Sequence, residues 1–205
     1  SSVASLIGCG VQGRAQLRAL AAVLPLRRAY VMDLDPGRAR DLARDLEPAL
    51  GFEIEPCGNL EGAVRRSDVC VTCTTSRRAF LRRSEVAPGT FIAAVGADSE
   101  DKQELEPELL AAATVIPDSL QQAAVIGELH WAFAQGLMTP ERVHAELAEI
   151  VAGQRPGRSS PEEITIFDST GTALQDVAAA VVVFENARRR GRGTLVGLEG
   201  SAVGG

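Results

Sequence analysis

The sequence predicts an α/β fold, a doubly wound parallel sheet that ends in one long helix. Three observations carry this. Short apolar runs alternate with helix-period segments along the 205 residues, the pattern of parallel strands joined by right-handed crossovers. Two of the runs, Asp68–Thr74 and Thr90–Val95, are apolar almost throughout, as strands covered on both faces are. A glycine-rich turn, Ile7-Gly8-Cys9-Gly10-Val11-Gln12-Gly13-Arg14, separates the first run from the first helix.

The elements follow in order. Val3–Ile7 is the first strand and Ala15–Leu24 the first helix. Ala29–Met32 is a second strand, and Asp35-Pro36-Gly37 turns the chain into a helix over Gly37–Leu46 that should stop ahead of Pro48. Gly51–Pro56 reads as a strand, Asn59–Arg66 as a short helix, and Asp68–Thr74 as a central strand. After Pro88-Gly89 come the strand Thr90–Val95, a mainly helical segment Lys102–Ala113 and a short strand Thr114–Ile116. Ala123–Ala134 and Pro140–Val151 are expected to be two helices, with Thr139-Pro140 as cap and first residue of the second. A polar loop, Gly153–Pro161, precedes the strand Ile164–Phe167. The helix Thr172–Arg190 stops at cations followed by Gly191, and Ser201–Gly205 is a loose tail.

The glycine turn has a specific physical meaning in a strand–turn–helix setting. Gly8 permits the tight turn, Gly10 lets backbone approach a pyrophosphate, and Gly13 lets the helix pack closely on the strand. The helix N-terminus then faces the phosphate charge. Asp33 ends the second strand, 20 residues beyond Gly13, where a carboxylate accepts the ribose hydroxyls of an adenosine and repels a 2′-phosphate. This is a Rossmann dinucleotide fingerprint, and Asp33 favours NAD over NADP. The bland alternative is that Asp33 and Asp35 simply start the turn at Asp35-Pro36-Gly37, but the glycine turn, helix and acid all stand at the offsets of a dinucleotide site. Ligands of such sheets bind at the carboxyl ends of the strands, so Gly8–Gly13, Asp33, Thr74-Thr75-Ser76 and Gly96-Ala97-Asp98 converge on one crevice. The hydroxyls of Thr74–Ser76 also fit a helix cap or a loop.

Composition narrows the function. Net charge is −6 with both signs interspersed, so no basic face for nucleic acid stands out. The apolar run Val177–Phe184 is too short to span a bilayer, and no leader pattern opens the chain, so a cytoplasmic protein is expected. The four cysteines lack scaffold spacing, and Cys70-Val71-Thr72-Cys73 lies inside a strand rather than at a helix N-terminus. Buried free thiols are the expectation. His130 and His144 stand apart from any ligand cluster, so no metal is implied. Among 20 Arg there is a single lysine, Lys102, which draws attention to its neighbourhood.

Asp98 is the candidate catalytic residue. A carboxylate partly sequestered past a buried strand can exchange a proton with an amine or imine nitrogen while hydride moves to the adjacent carbon. Asp98 or Ser99 could equally cap a helix beginning near Lys102.

Gly8–Gln16, Thr72–Ser76, Val95-Gly96-Ala97-Asp98 with Lys102-Gln103-Glu104-Leu105, and Ile164–Asp176 together resemble the ornithine cyclodeaminase/mu-crystallin family over essentially the whole chain. The resemblance implies an NAD(P)-dependent enzyme acting on the Cα–N bond of a small amino or imino acid, dimeric in full length. It implies Gly10, Val11 and Gln12 at the cofactor phosphates and Asp33 at the adenosine ribose. It places Thr74 and Thr75 beside the adenine half, Val95 and Ser169 near the nicotinamide, and Asp98 as the acid/base. Lys102 matches a lysine common in the family motif.

Glu100-Asp101 stands where many members carry Pro-Gly, and Asp168 where many carry lysine. An imine reductase or amino-acid dehydrogenase is therefore expected rather than an ornithine cyclodeaminase, which converts L-ornithine to L-proline and ammonia. A non-catalytic NAD-binding or oligomerisation module, or a Rossmann enzyme using NADP or an adenosyl cofactor, are the other readings. The family also implies an N-terminal portion that binds the substrate carboxylate and forms the dimer. With the first strand at about Val3, that portion is expected to be missing here. The expected organisation is a Rossmann domain over 1–171, a helix over 172–193 that would pack on the missing portion, and a tail over 194–205.

Overall fold

A computed structural model describes residues 1–194; the tail expected over Ser201–Gly205 lies outside them. The elements run β1 (Val3–Ile7), α1 (Val11–Val23), β2 (Arg28–Met32), α2 (Pro36–Leu50), β3 (Glu53–Pro56), α3 (Leu60–Val64) and β4 (Val69–Thr72). There follow β5 (Arg77–Leu81), β6 (Phe91–Ala94), β7 (Gln103–Leu105), α4 (Pro107–Ala111), β8 (Thr114–Pro117), α5 (Leu120–Ile126) and α6 (Glu128–Ala134). The last are α7 (Leu147–Val151), β9 (Thr165–Asp168) and α8 (Ala173–Arg189). A seven-stranded sheet has the order β3-β2-β1-β4-β6-β9-β8, every pairing parallel. The order reverses between β1 and β4, which makes their carboxyl ends the switch point. The doubly wound sheet is as the sequence predicts.

Alternation along the strands divides the core into two layers. Val69, Val71 and Ala93 pack with Leu17 of α1 and Leu42 and Leu46 of α2. Cys70, Ile92 and Ile166 pack with Leu109 of α4 and Leu129 of α6. Leu17, Leu42 and Leu46 are fully buried, each contributing about 1.5–3 kcal/mol by leaving water. They fix α1 and α2 on the sheet, and so fix the turn that enters α1.

Four expectations fail, each for a tertiary reason. The helix α2 runs through Pro48 to Leu50 and ends on Gly51 in the left-handed region. Buried Leu46 and the Gly51 cap, whose amide donates to the Glu47 carbonyl, offset the cost of an internal proline. The segment expected to be helical from Lys102 instead opens with β7, which pairs in parallel with the unanticipated β5. Helix begins only at Pro107, whose ring holds Glu106 extended at φ −68°, ψ 137°.

The helix expected over Ala123–Ala134 is broken at Gly127, which is extended at φ −88°, ψ −176°. Asp168 causes the break by accepting the amides of Glu128 (3.1 Å) and Leu129 (2.9 Å). A Cβ on Gly127 would sit 2.8 Å from that carboxylate. The segment expected as a helix over Pro140–Val151 is a 3₁₀ turn, Pro140–Arg142, followed by an extended stretch and then α7. The His144 amide bonds the Val115 carbonyl at the end of the sheet (3.2 Å) rather than a helical carbonyl.

The described residues divide into two compact units, Ser1–Gly171 and a second that begins at Thr172. In the second, α8 shows solvent the apolar side chains of Leu174, Val177, Val181, Val182, Val183 and Phe184. No helix among the described residues is long and apolar enough to cross a membrane.

Candidate dinucleotide-binding site

The glycine turn is built as its spacing requires. Gly8 has φ +105°, and a Cβ there would lie 2.6 Å from the Cys73 carbonyl oxygen. Gly13 is tighter still, with a Cβ position 2.0 Å from the Gly8 carbonyl oxygen. Gly10 differs, since a Cβ there meets nothing within 4 Å. It caps α1 without any side-chain hydrogen bond. Amides in the first turn of a helix have no carbonyl behind them, so those of Val11, Gln12 and Gly13 lie at an end that no side chain occupies. Val11 is 89% exposed. An open, uncapped end of a 13-residue helix is a site suited to an anion.

Asp33 sits beside this turn at the end of β2. One carboxylate oxygen accepts the Cys9 amide (2.9 Å) and the other the Asp35 amide (3.0 Å). Asp35 separately caps α2 through the Gly37 amide (2.8 Å). Asp33 therefore serves the local turn and is at the same time locked against the glycine loop.

The remaining predicted residues fall in a row. Beyond each strand the next residue bonds its neighbour strand: Gly8 to Met32, Cys73 to Ile7, Val95 to Thr72, and Ser169 to Ala94. Asp33, Gly8, Cys73–Thr74, Val95 and Ser169 thus occupy consecutive positions along one edge, at the inter-strand spacing of about 4.8 Å. Thr75 is exposed, and Ser76 half-buried. The Thr74 hydroxyl donates to Glu104 (2.7 Å) and accepts the Ser76 amide (3.1 Å).

Asp98 is placed less deeply than expected. Its side chain is 56% exposed and pairs with Lys102 Nζ at 2.5 Å. Two links hold the Lys102 backbone: its amide donates to the Ser99 carbonyl (3.1 Å), and its own carbonyl accepts the Trp131 indole N–H (2.8 Å). The expected helix near Lys102 does not form, so Asp98 caps nothing. It stands at the rim of the crevice past β6, ionically tethered.

The family model for the ornithine cyclodeaminase/mu-crystallin family matches residues 1–191. The chain belongs to this family. Alanine dehydrogenase of Archaeoglobus fulgidus is 41% identical over 197 residues, covering 96% of this chain and 60% of that protein. A solved archaeal alanine dehydrogenase dimer with bound NAD superposes with a TM-score of 0.91 at 41% identity, covering 97% of this chain and 61% of that one. The Thermococcus litoralis Δ1-pyrroline-2-carboxylate reductase, solved with NADH and L-proline, gives a TM-score of 0.92 at 34% identity, covering 96% and 61%. The chain spans about three-fifths of the length of the curated relatives it matches.

The cyclodeaminase-family crevice here also rests on buried acids that sequence reasoning did not assign. Glu104, Glu128 and Asp168 are fully buried. Burial pushes all three carboxyls above their ordinary range, Asp168 to about 7. Glu128 is raised further by its acidic neighbours Asp168 and Glu104. Glu104 is held down in part by the donors around it; the Thr72 hydroxyl faces it without completing a hydrogen bond. Asp118 adds a fourth acid, accepting the Thr170 amide and hydroxyl and the Gly171 amide at 2.8–2.9 Å.

Glu104 was visible only as part of the family motif, and Asp168 only as a departure from it. Glu128 gave no signal, because a glutamate in a helical stretch reads as solvated. The thiols are free, and burial pushes Cys9, Cys70 and Cys73 up to about 12, which keeps them protonated and unreactive.

Proposed function

We propose that this chain is the nucleotide-binding half of an NAD-dependent oxidoreductase that acts on the Cα–N bond of a small amino or imino acid. The observation that carries the proposal is the row of residues along one sheet edge. The open N-terminus of α1 and Asp33 stand at one end, and Val95, Asp98 and Ser169 follow toward the other. In this reading the amides of Val11, Gln12 and Gly13 hold the pyrophosphate, with Gly8 and Gly13 forming the turn and Gly10 leaving room for it. Asp33 accepts ribose hydroxyls and disfavours a 2′-phosphate. The Thr74 hydroxyl is committed to Glu104 and Ser76, and the Ser76 hydroxyl to the Arg78 backbone, so Thr75 is the exposed face of that loop. Val95 and Ser169 border the nicotinamide end.

Bound NAD supplies hydride exchange with the substrate carbon. Asp98 handles the proton on the substrate nitrogen, and Lys102 holds its carboxylate at the rim. The bound NAD and NADH of the solved relatives, and their action on amino and imino acids, support this reading. It extends to a homodimer for the whole protein, in line with the archaeal alanine dehydrogenase, and to a cytoplasmic location. We favour a reductase or dehydrogenase over an ornithine cyclodeaminase, because Glu100-Asp101 replaces the Pro-Gly common before the family lysine.

Titration with NADH, followed by nicotinamide fluorescence, tests the cofactor. Saturable enhancement is expected, weakened by Asp33→Ala, and absence of binding at millimolar NADH overturns the reading. In the full-length protein, Asp98→Asn should abolish most turnover of an imino-acid panel while leaving NADH affinity unchanged. A non-catalytic module would lose nothing.

A further inference from the structure

The three buried acids form one continuous ladder beneath the crevice. Glu104 Oε1 accepts both the amide (2.6 Å) and the hydroxyl (2.7 Å) of Thr74, and Oε2 accepts the Gly96 amide (3.0 Å). The Glu104 and Leu105 amides donate in turn to the two oxygens of Glu128 (2.8 and 3.1 Å). The Glu128 and Leu129 amides then donate to Asp168, the last residue of β9. Thr74 follows β4, Gly96 follows β6 and Ser169 follows β9, so the ladder ties together the loops that leave three neighbouring strands.

We propose that Glu104 is a positioning residue, whose carboxylate clamps Thr74 to Gly96 and so preforms the β6 side of the crevice that leads to Val95 and Asp98. The inference rests on the dinucleotide reading above.

Three features argue for it. Glu104 accepts three hydrogen bonds and faces no cation: no ion pair to it exists among the described residues. Only a carboxylate accepts from all three, because the amide of a glutamine would point a donor at a donor. Gly96 leaves no slack, since a Cβ there would lie 2.4 Å from the Glu104 carboxylate. A buried acid with no counter-charge is an expensive way to gain stability alone. What it provides here is a fixed distance between two loops at the site.

The test compares NADH with AMP on the chain carrying Glu104→Gln. AMP engages the Asp33 end, whose carboxylate is held by Cys9 and Asp35 and not by Glu104. Losing one charged hydrogen bond of the clamp should weaken NADH binding by about tenfold or more. AMP affinity should stay within about threefold of wild type. NADH affinity equal to wild type, or a parallel loss for both ligands, overturns the inference. Failure of the unsubstituted chain to bind either ligand would instead remove the dinucleotide reading.

Amide hydrogen exchange on the ligand-free wild type decides the matter if the variant does not fold. The Thr74 and Gly96 amides should be strongly protected relative to the Thr75 amide, which has no part in the clamp. Equal exchange at the three positions would show that no clamp exists.

Discussion

Gly10 and Gly13 lie three residues apart in one motif, yet alanine at each should have opposite consequences. At Gly13 the added carbon would stand 2.0 Å from the Gly8 carbonyl oxygen. Real Cβ contacts essentially never fall under 3.0 Å, so α1 and the turn must part by about 1 Å, the difference of those two figures. That movement pulls Leu17 from a fully packed layer between α1, α2 and the sheet. Overpacking against side chains costs about 1–3 kcal/mol. Against an unyielding backbone carbonyl we expect the upper end, about 3 kcal/mol, or a melting temperature lowered by roughly 6–12 °C in a chain of this size.

At Gly10 the same carbon meets nothing within 4 Å, and the backbone there, φ −76°, ψ −163°, suits any residue. Gly10→Ala should change stability by no more than about 0.5 kcal/mol, yet it fills the space next to the first-turn amides. NADH affinity should fall by about tenfold or more, the effect of a group placed where a phosphate must come. Urea denaturation followed by circular dichroism, with NADH titration of each variant, reads both quantities. A Gly13→Ala protein as stable as wild type would refute the packing argument. A Gly10→Ala protein with wild-type NADH affinity would refute the placement of the phosphate.

Three further outcomes are expected. The Asp168 carboxyl is pushed up to about 7 by burial, whereas an unfolded aspartate titrates near about 3.9. The native state therefore holds a proton that the unfolded chain has released, and this contribution to stability is full below about pH 4 and lost as pH rises toward 7. Its ceiling is about 4 kcal/mol, from about three pH units at about 1.4 kcal/mol each. Asp168→Asn should thus cost most near pH 4 and progressively less toward pH 7, in denaturation curves measured across that range; a cost independent of pH would contradict the assignment. Trp131→Phe removes the indole donor from the Lys102 carbonyl and should lower stability by about 1 kcal/mol in urea, with a smaller effect if water replaces the bond. Wild type should prefer NADH to NADPH, and Asp33→Ala should narrow that preference as it weakens NADH, measured by paired titrations.

The sheet was legible because its physics is local and periodic. Val69–Thr72 and Phe91–Ala94 are buried on both faces, and each is followed by a break in the strand pattern. The glycine turn was legible because Gly8 and Gly13 each answer to a contact within the motif or on the adjacent strand. Before β6 the misses are small, the extra turn of α2 past Pro48 and the short β5; the larger ones come after it. Lys102–Leu105 has helix-forming residues, but the Glu104 and Leu105 amides are claimed by Glu128, 24 and 23 residues away. Gly127 looks like a tolerable glycine in one long helix, and only Asp168, 40 residues on from Glu128, shows why two helices form there. Local propensity is worth tenths of a kcal/mol per residue, too little to withstand a buried carboxyl group that takes two amides at once.

The failures at β7 and at α6 therefore share a single cause, and it bears on the site. At β7 and at the start of α6, a buried carboxylate takes a pair of amides that regular structure would otherwise satisfy, and Glu104 does the same between Thr74 and Gly96. Backbone held this way lies at the ends of short elements, so its shape depends on each acid remaining a good acceptor. The Rossmann half around Gly8 and Asp33 depends on packing and should tolerate the loss of any one of these acids. The half around Gly96 and Asp98 should not. That asymmetry is why NADH and AMP are the informative pair of ligands: under the proposed function one would span both halves of the crevice, and the other would need only the packed half.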